Sequence, residues 1–182
     1  MAILKHISVK NRFYSSAVEY LTCQFDEYTN KPVLYEKGRI QERENYLIVG
    51  VNCDVDSFGA ECIEVNRLYG KNNSVKDVKA HHYIISFEPN DPITIEQALE
   101  FGKQWLSVFA PGHQAVVAVH PDGHNGSQNM HVHMVINSVR KYAGKQSRWH
   151  EKPCEWKLGC KHKSTGKMMF CSTVNSGTRL NA

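Results

Sequence analysis

Three histidines and an aspartate lie close together in the second half of the sequence. His120 and Asp122 are followed by His131 and His133 in the run NMHVHMVIN, residues 129–137. If this run is a β-strand, successive side chains point to opposite faces, so the last two histidines share one face. Neutral imidazole is a common metal ligand, and three histidines that leave coordination positions open are typical of catalytic sites. The spacing therefore predicts a catalytic metal centre.

The strands that would carry these histidines form a predicted β-hairpin. QAVVAVH, residues 114–120, and MHVHMVIN, residues 130–137, are apolar runs on either side of PDGHNGSQN, which is rich in turn residues. Antiparallel folding brings His120, at the end of one strand, beside His131 and His133 at the start of the other. The prediction is thus three imidazoles on one face of a sheet.

Two residues of the connector bear on this site. Asp122 is placed to accept a hydrogen bond from a ligand histidine or a reacting hydroxyl, and His124 is the alternative third ligand. For any single histidine, an ordinary core or surface position is the simpler interpretation. The pattern H-x-D followed by H-x-H across a hairpin is what favours a metal.

The rest of the sequence predicts the elements that position this hairpin. Three further runs are typical of strands, and three amphipathic segments are typical of helices, with a polar surface loop over residues 27–45. The order is β-α-β-α-β-α-β-β plus a basic tail, which indicates an α+β fold with helices packed on a mixed sheet. The strands are 3–9, 46–51 and 81–87; the helices run from Ser16, capped with Glu19, to about Phe25, from Ser57 to Gly70, and from a capping box of Thr94 and Gln97 to Pro111.

Composition excludes several classes of protein. The 182 residues are 41% hydrophobic and 22% charged, as in ordinary globular domains. No run approaches the roughly 18 apolar residues of a membrane span, and the N-terminus lacks the apolar core of a signal peptide, so we expect a cytoplasmic protein with no membrane partner. Scattered cysteines without an export signal indicate reduced thiols, at positions 23, 53, 62, 154, 160 and 171.

Charge is distributed unevenly along the chain. Residues 1–137 carry 12 basic and 16 acidic side chains, whereas residues 138–182 carry 10 and 2. We therefore divide the chain into a domain over 1–139 and a basic C-terminal extension over 140–182. A basic block of this kind fits a phosphate-binding surface, although a solvated tail would explain the charge equally well. The basic side chains nearest the predicted metal strand, and hence candidate contacts to a phosphate backbone such as that of DNA, are Arg140, Lys141, Lys145 and Arg148.

Three segments together resemble a known family. HPD (120–122) followed after eight residues by HVHMVIN (131–137) resembles the third motif of HUH-superfamily relaxases. AVEYLT (17–22) resembles the first motif, which carries a nucleophilic tyrosine, and HYIISF (82–87) resembles the second, whose serine contacts DNA. In this order they resemble a MobP-type relaxase of mobilisable elements from Gram-positive bacteria, over residues 3 to about 163.

The resemblance implies roles for individual residues. Tyr20 would be the nucleophile, and Ser86 would contact DNA. His82 shares a strand face with Ser86 and would contact DNA or pack beside the metal, and Asn137 would orient DNA or a ligand. Helical periodicity separately predicts that Tyr20 stands off the core face of its helix, with Tyr14 and Tyr28 as nearby competitors.

The resemblance also implies a fold, cofactor and partners. These are a largely antiparallel five-stranded sheet, one manganese or magnesium ion with zinc as the alternative, and DNA carrying an origin-of-transfer hairpin and a single-stranded nick region. Accessory mobilisation and coupling proteins would be further partners. The implied reaction is nicking and rejoining of one strand through a 5′-phosphotyrosine intermediate.

Other functions fit parts of the same pattern. A rolling-circle replication initiator would share the fold, but its tyrosine follows the HxH strand, where Tyr142 lies too close to the strand's end. A metal-dependent hydrolase of small molecules would not need Tyr20, and a DNA-binding fragment would bind without cleavage.

Overall fold

A five-stranded antiparallel sheet forms the centre of the molecule. The computed structural model describes residues 2–10, 14–26, 29, 31–35, 38–121 and 129–142, together with the backbone of 160–161 and 168–169. The elements in chain order are β1 (Ile3–Val9), α1 (Ser15–Thr22), β2 (Leu47–Val51), α2 (Phe58–Leu68), β3 (Ala80–Ser86), α3 (Ile95–Phe109), β4 (His113–His120), β5 (His131–Arg140), β6 (Cys160–Lys161) and β7 (Met168–Met169). The sheet has the order β1-β3-β5-β4-β2, and β6 pairs with β7 in a second, two-stranded sheet.

The predicted α+β fold and hairpin are confirmed. All four pairings in the large sheet are antiparallel, so the sheet is not mixed. β4 and β5 occupy inner positions and are buried along nearly their whole length, which explains their almost continuous apolar runs.

Helices cover both faces of the sheet. α3 packs on the face that carries Val117, Val119 and Met134. α1 and α2 pack on the opposite face, against Val116 and Val135. Alternation along 115–120 of β4 and 131–136 of β5 therefore separates an apolar core from a second face that also carries the histidines.

The N-terminus of α3 forms as its sequence predicts. Thr94 Oγ1 accepts a hydrogen bond from the Gln97 backbone N–H at 3.2 Å, and the Gln97 side chain accepts one from the Thr94 N–H at 2.9 Å. Gly102 lets the middle of this helix approach the sheet, because a Cβ there would meet side-chain atoms of Val117 and Val132 at 2.8 Å.

The predicted capping box of α1 is wrong. The helix begins at Ser15, with Tyr14 as its N-cap and no side-chain cap hydrogen bond, and it ends at Thr22. Tyr14 is buried and its hydroxyl donates to the carbonyl of Lys79, so tertiary contacts determine where the helix starts. At the other end, residues 23 and 25 enter backbone bridges with residues 42 and 32, which stops the helix short of Phe25.

Two other boundaries differ slightly from expectation. β5 continues to Arg140, three residues beyond the predicted strand, since Lys141 and Tyr142 still donate backbone hydrogen bonds to the Gly112 carbonyl. α2 starts after Ser57 as predicted but ends at Leu68, just before Gly70, whose φ is +62°.

Cys23, Cys53 and Cys62 are free thiols, as predicted for those three positions. Within the part of the chain that the structure describes, none of the helices is long and apolar enough to cross a membrane. The division into a domain over 1–139 and an extension over 140–182 stays a prediction, because most of the extension lies outside the described residues.

Candidate metal centre and nucleophile

The three predicted metal ligands converge on one face of the β4–β5 hairpin. His120 lies directly opposite His131 in the strand register, and Ala118 lies opposite His133. All three imidazoles are buried, and one ring nitrogen from each lies within 4.8 Å of the others. This is the arrangement that the alternation of β4 and β5 predicts.

One ring nitrogen of each imidazole is held by a neighbour. His120 Nε2 donates to the Leu21 carbonyl at 2.7 Å, and His131 Nδ1 donates to the Asn129 carbonyl at 3.0 Å, because a carbonyl can only accept. A neutral ring that donates through one nitrogen offers the lone pair of the other. Nδ1 of His120 and Nε2 of His131 are therefore the atoms that could coordinate a metal.

His133 is held by a fourth histidine. Its Nδ1 lies 2.9 Å from Nε2 of His82, and its own Nε2 is buried with no hydrogen-bond partner among the described residues. An unpartnered buried nitrogen is costly unless a ligand fills the site. The donor set thus fits a metal bound by three nitrogens, with His82 fixing the orientation of one ligand.

Burial keeps two of these imidazoles neutral. The pKa of His133 is lowered well below its usual value, mainly by burial and then by the neighbouring imidazoles. Burial, with smaller effects from Lys5 and His6, lowers the pKa of His82 to about 4. Because only a neutral imidazole has a lone pair for a metal, the low pKa of His133 suits coordination at neutral pH.

Tyr20 lies against this histidine cluster. Its ring centroid is 5.9 Å from that of His82, 6.0 Å from that of His133 and 5.2 Å from that of Phe25. It is partly buried rather than standing off the core, so helical periodicity alone gave the wrong environment. Leu21, whose carbonyl holds His120, follows it directly, so the last turn of α1 contributes both the phenol and a ligand anchor.

The environment of Tyr20 keeps its phenol protonated at neutral pH. Burial raises the pKa of Tyr20, and the positive charge of Arg43 partly opposes that rise. Tyr14, one of the competing tyrosines, is buried; its hydroxyl donates to the Lys79 carbonyl and accepts a hydrogen bond from Asn66 at 2.6 Å. Tyr28 lies outside the described residues. Of Tyr14 and Tyr20, it is Tyr20 whose ring contacts the histidines.

The residues predicted to contact DNA are spread over the sheet. Ser86 is partly exposed and lies opposite His131, at the metal end of the hairpin. Asn137 is fully buried, and its side-chain amide donates to Gln114 Oε1 at 3.2 Å. His82 is also buried, so of its two predicted roles the geometry favours packing beside the metal.

Arg140 and Lys141 lie at the other end of β5. At about 3.4 Å per residue, Arg140 is about 30 Å along the strand from His131. Lys141 Nζ donates to Glu61 Oε2 and to the Asn52 carbonyl, both at 3.0 Å. Hydrogen bonds from the Asp54 N–H and then from Lys141 lower the pKa of Glu61 to about 2, so this is an ion pair at neutral pH. A DNA contact by either basic residue at the metal centre is not supported by this position.

Several predicted residues lie outside the described residues. These are Asp122, His124, Lys145 and Arg148. Their assignments as orienting group, rival ligand and DNA contacts stay predictions.

One residue near the site has no signal in the sequence. Arg43 lies in the stretch interpreted as a polar surface loop, yet its charge acts on both Tyr20 and His133. Only the folding of that stretch back onto α1 brings it there, so no motif or periodicity could have found it.

Comparison with known proteins identifies the family. Residues 28–161 match a model of the MobA/VirD2-like relaxase nuclease domain, a range that starts after Tyr20 and includes His120, His131 and His133. The chain is 32% identical over 123 residues to Protein rlx of Staphylococcus aureus, covering 68% of this chain and 35% of that relative. It is 40% identical over 99 residues to the group II intron-interrupted relaxase LtrB of Lactococcus lactis subsp. cremoris, covering 54% of this chain and 15% of that relative.

The chain thus spans about a third or less of the length of these relatives. No solved structure matches it. Since the family match covers most of the sequence, the chain belongs to the MobA/VirD2-like relaxases and carries the nuclease domain of that family.

Proposed function

We propose that this chain nicks one DNA strand by transesterification, with Tyr20 as the nucleophile and a divalent metal ion held by His120, His131 and His133. The single observation that carries the proposal is the contact of the Tyr20 ring with the three-histidine cluster. A phenol beside a metal site can attack a phosphodiester, whereas a small-molecule hydrolase that uses metal-bound water would have no need of it.

The reaction exchanges one phosphodiester for another. The Tyr20 phenol oxygen forms a bond to phosphorus, the bond from phosphorus to the 3′ oxygen breaks, and the 5′ end stays attached to the protein. The phenol loses its proton and the 3′ oxygen gains one, which leaves a free 3′-OH. The reverse step rejoins the strand without a nucleotide cofactor, because the phosphotyrosine bond conserves the energy of the original linkage.

The protein groups of the site divide this work. Because the pKa of Tyr20 is raised, its proton must pass to an acceptor during attack, and Asp122 is the predicted group that orients the reacting hydroxyl. His82 holds His133, and the Leu21 carbonyl holds His120, so two ligand rings are oriented before any metal binds. A bound manganese or magnesium ion, or zinc as the alternative, would polarise a phosphoryl oxygen and neutralise its charge.

The family supports an inference about the biological substrate. We infer that the DNA contains an origin of transfer, with a hairpin and a single-stranded nick region, and that nicking initiates mobilisation of a plasmid or transposon. Accessory mobilisation and coupling proteins would assist in the cell. Ser86, at the metal end of the hairpin, is the predicted DNA contact whose position best suits this substrate.

A denaturing gel tests the proposal. Labelled single-stranded oligonucleotides, taken from the genetic element that encodes the protein, are incubated with the protein in manganese or in chelator. The products are examined for a protein–DNA adduct. We expect an adduct that requires manganese and disappears in Tyr20→Phe. Tyr35→Phe is the matched control, because Tyr35 is exposed on the loop after α1.

The alternatives give different results on the same gel. An adduct that survives Tyr20→Phe would move the nucleophile to another residue. Binding of an origin-containing oligonucleotide with no adduct would instead favour a DNA-binding fragment.

A further inference from the structure

One corner of the sheet is open on the face that carries the histidines. The helices α1 and α2 cover this face over β4 and β5, where Val135 is buried beneath them. On β1, by contrast, Ile3 is 69% exposed and Ile7 is 38% exposed. Ile7 lies opposite His82, so alternation along β1 puts Ile3, Lys5 and Ile7 on the histidine face. The metal-site face of the sheet is therefore uncovered along the first part of β1.

The strand register places this open corner beside the metal centre. Lys5 lies opposite Ile84 on β3, and Ile84 lies opposite His133 on β5. Neighbouring strands are about 5 Å apart, so the Cα atom of Lys5 is about 10 Å from the Cα atom of His133. Ile84 and Ser86 of the intervening strand are partly exposed. The sheet surface between Lys5 and the histidines is thus accessible from solvent.

Lys5 gives this corner a positive charge. The residue is exposed, and it makes no hydrogen bond or ion pair with any residue that the structure describes. Burial and then the charge of Lys5 lower the pKa of His82, which agrees with their diagonal positions on neighbouring strands. An anion that lies on the open corner would therefore meet a lysine with no competing acidic partner among the described residues.

A DNA strand held at the metal centre needs an accessible surface on which to continue. The helices close the β4–β5 side of this face, whereas the side formed by β1 and β3 is open. Every nucleotide of the strand carries a negatively charged phosphate, and lysine contacts to phosphates position a strand without reading its sequence. A strand that leaves the histidines across β3 would bring one of its phosphates to Lys5.

We propose that Lys5 binds a phosphate that flanks the scissile one, where the DNA strand crosses the open corner of the sheet. The inference rests on the proposed function, since it assumes that the phosphate attacked by Tyr20 lies at the three histidines. Lys5 is two strands away from His133, so its partner is a flanking phosphate and not the reacting one. This contact would hold the strand in register with the phenol of Tyr20.

The salt dependence of binding tests the contact. The affinity for a single-stranded oligonucleotide that contains the mapped nick site is measured by fluorescence anisotropy in manganese, over a range of salt concentrations. The protein carries Tyr20→Phe, so that cleavage does not interfere. The measurement is repeated after adding Lys5→Gln, Lys5→Arg or Lys10→Gln. Lys10 is the matched control, because it is an exposed lysine just after β1, at the end of the strand away from the histidines.

We expect Lys5→Gln to reduce the slope of log affinity against log salt concentration by about 0.7, the value for one phosphate contact on a single strand. Lys10→Gln removes the same charge from the protein and should leave the slope unchanged. Lys5→Arg keeps the charge and should keep the slope. A slope for Lys5→Gln equal to that for Lys10→Gln would overturn the inference.

Neutral methylphosphonates then locate the phosphate. One replacement at a time is made at each phosphate around the nick site, and its penalty for binding is measured with Lys5 and with Lys5→Gln. At one flanking position the penalty should be about 3-fold smaller without Lys5, as for loss of an exposed ion pair. Equal penalties at every flanking position would overturn the inference even if Lys5→Gln weakens binding overall, because a general charge effect gives that result.

The adduct gel separates failure of this inference from failure of the proposed function. If the protein with Tyr20 and Lys5 intact forms no adduct on an origin-containing oligonucleotide in manganese, the proposed function is wrong, and this inference fails with it. If the adduct forms but the salt slope does not depend on Lys5, only the assignment of Lys5 is wrong.

Discussion

The two ends of β5 carry polar side chains on the same face of the sheet, but their surroundings differ. At the start of the strand, His131 and His133 meet His120, and each ring is held through one nitrogen. Toward the end, Asn137 uses both atoms of its amide: Nδ2 donates to Gln114, and Oδ1 accepts from the Val139 N–H at 3.3 Å.

This difference distinguishes residues that can bind a ligand from residues that only stabilise the fold. The amide of Asn137 satisfies its neighbours and ties β5 to β4, so it leaves little for a ligand. Each imidazole can be held by one nitrogen and still bind through the other. Polar residues at alternate positions of a buried strand therefore indicate a ligand-binding site only where each side chain has a coordinating atom in addition to the atom that holds it in place.

Removing a ligand from the histidine end should have the largest effect. His133→Ala should lower manganese affinity by more than about 100-fold, since loss of a mere supporting contact costs 10- to 100-fold. The protein–DNA adduct should become undetectable while the far-UV circular dichroism is unchanged. Metal titration and the adduct gel measure these effects. An adduct at wild-type yield would exclude His133 as a ligand.

Disturbing the support of that ligand should have a smaller effect. His82→Phe removes the hydrogen bond to His133 Nδ1, so manganese affinity should fall about 10- to 100-fold. His82→Gln restores an acceptor near the same place and should recover part of the loss, as measured by isothermal calorimetry. If saturating manganese fails to restore adduct formation in His82→Phe, the result would favour the other role predicted for His82, a contact with DNA.

Much of the histidine end could be predicted because its determinants are local. A strand period of two and a turn-rich connector suffice to bring His120 opposite His131. When a hairpin brings two side chains together, their proximity can be predicted without knowledge of contacts that are distant in the sequence. The capping box at Thr94 was equally local and equally predictable.

The errors share the opposite cause. The start of α1 depends on Tyr14, whose hydroxyl binds residues more than 50 positions away, and the site of Arg43 depends on a loop folding back. Asn137 obeys the same alternation as the histidines, so the pattern could not tell a ligand from a support. Lys141 follows the histidine strand closely in sequence but lies at the far end of β5, so its predicted role as a DNA contact stays a prediction.

A substitution at the Asn137 end of β5 should lower stability without affecting adduct formation. Asn137→Ala leaves the buried Gln114 amide short of a partner, so the free energy of unfolding should fall by about 1–3 kcal/mol. Urea unfolding measures the loss, and the adduct rate per folded molecule should stay at the wild-type value. A large drop in that rate, with manganese saturating, would mean that Asn137 orients DNA or a ligand.

The pH dependence of stability should also distinguish the two ends of β5, and its expected effect is the smallest. The pKa of His82 is about 4 in the folded protein against about 6.5 unfolded, so the unfolded chain binds more protons between these values. Its stabilising contribution is thus complete above pH 6.5 and is lost as the pH falls toward 4. From pH 7 to 6 this single residue should lower the metal-free free energy of unfolding by about 0.7 kcal/mol. His82→Phe should flatten the pH dependence in urea unfolding with chelator, whereas Asn137→Ala should shift the curve without changing its slope, because an amide does not titrate. Equal slopes in wild type and His82→Phe would show that folding does not lower the pKa of His82, contrary to the buried, neutral ring expected here.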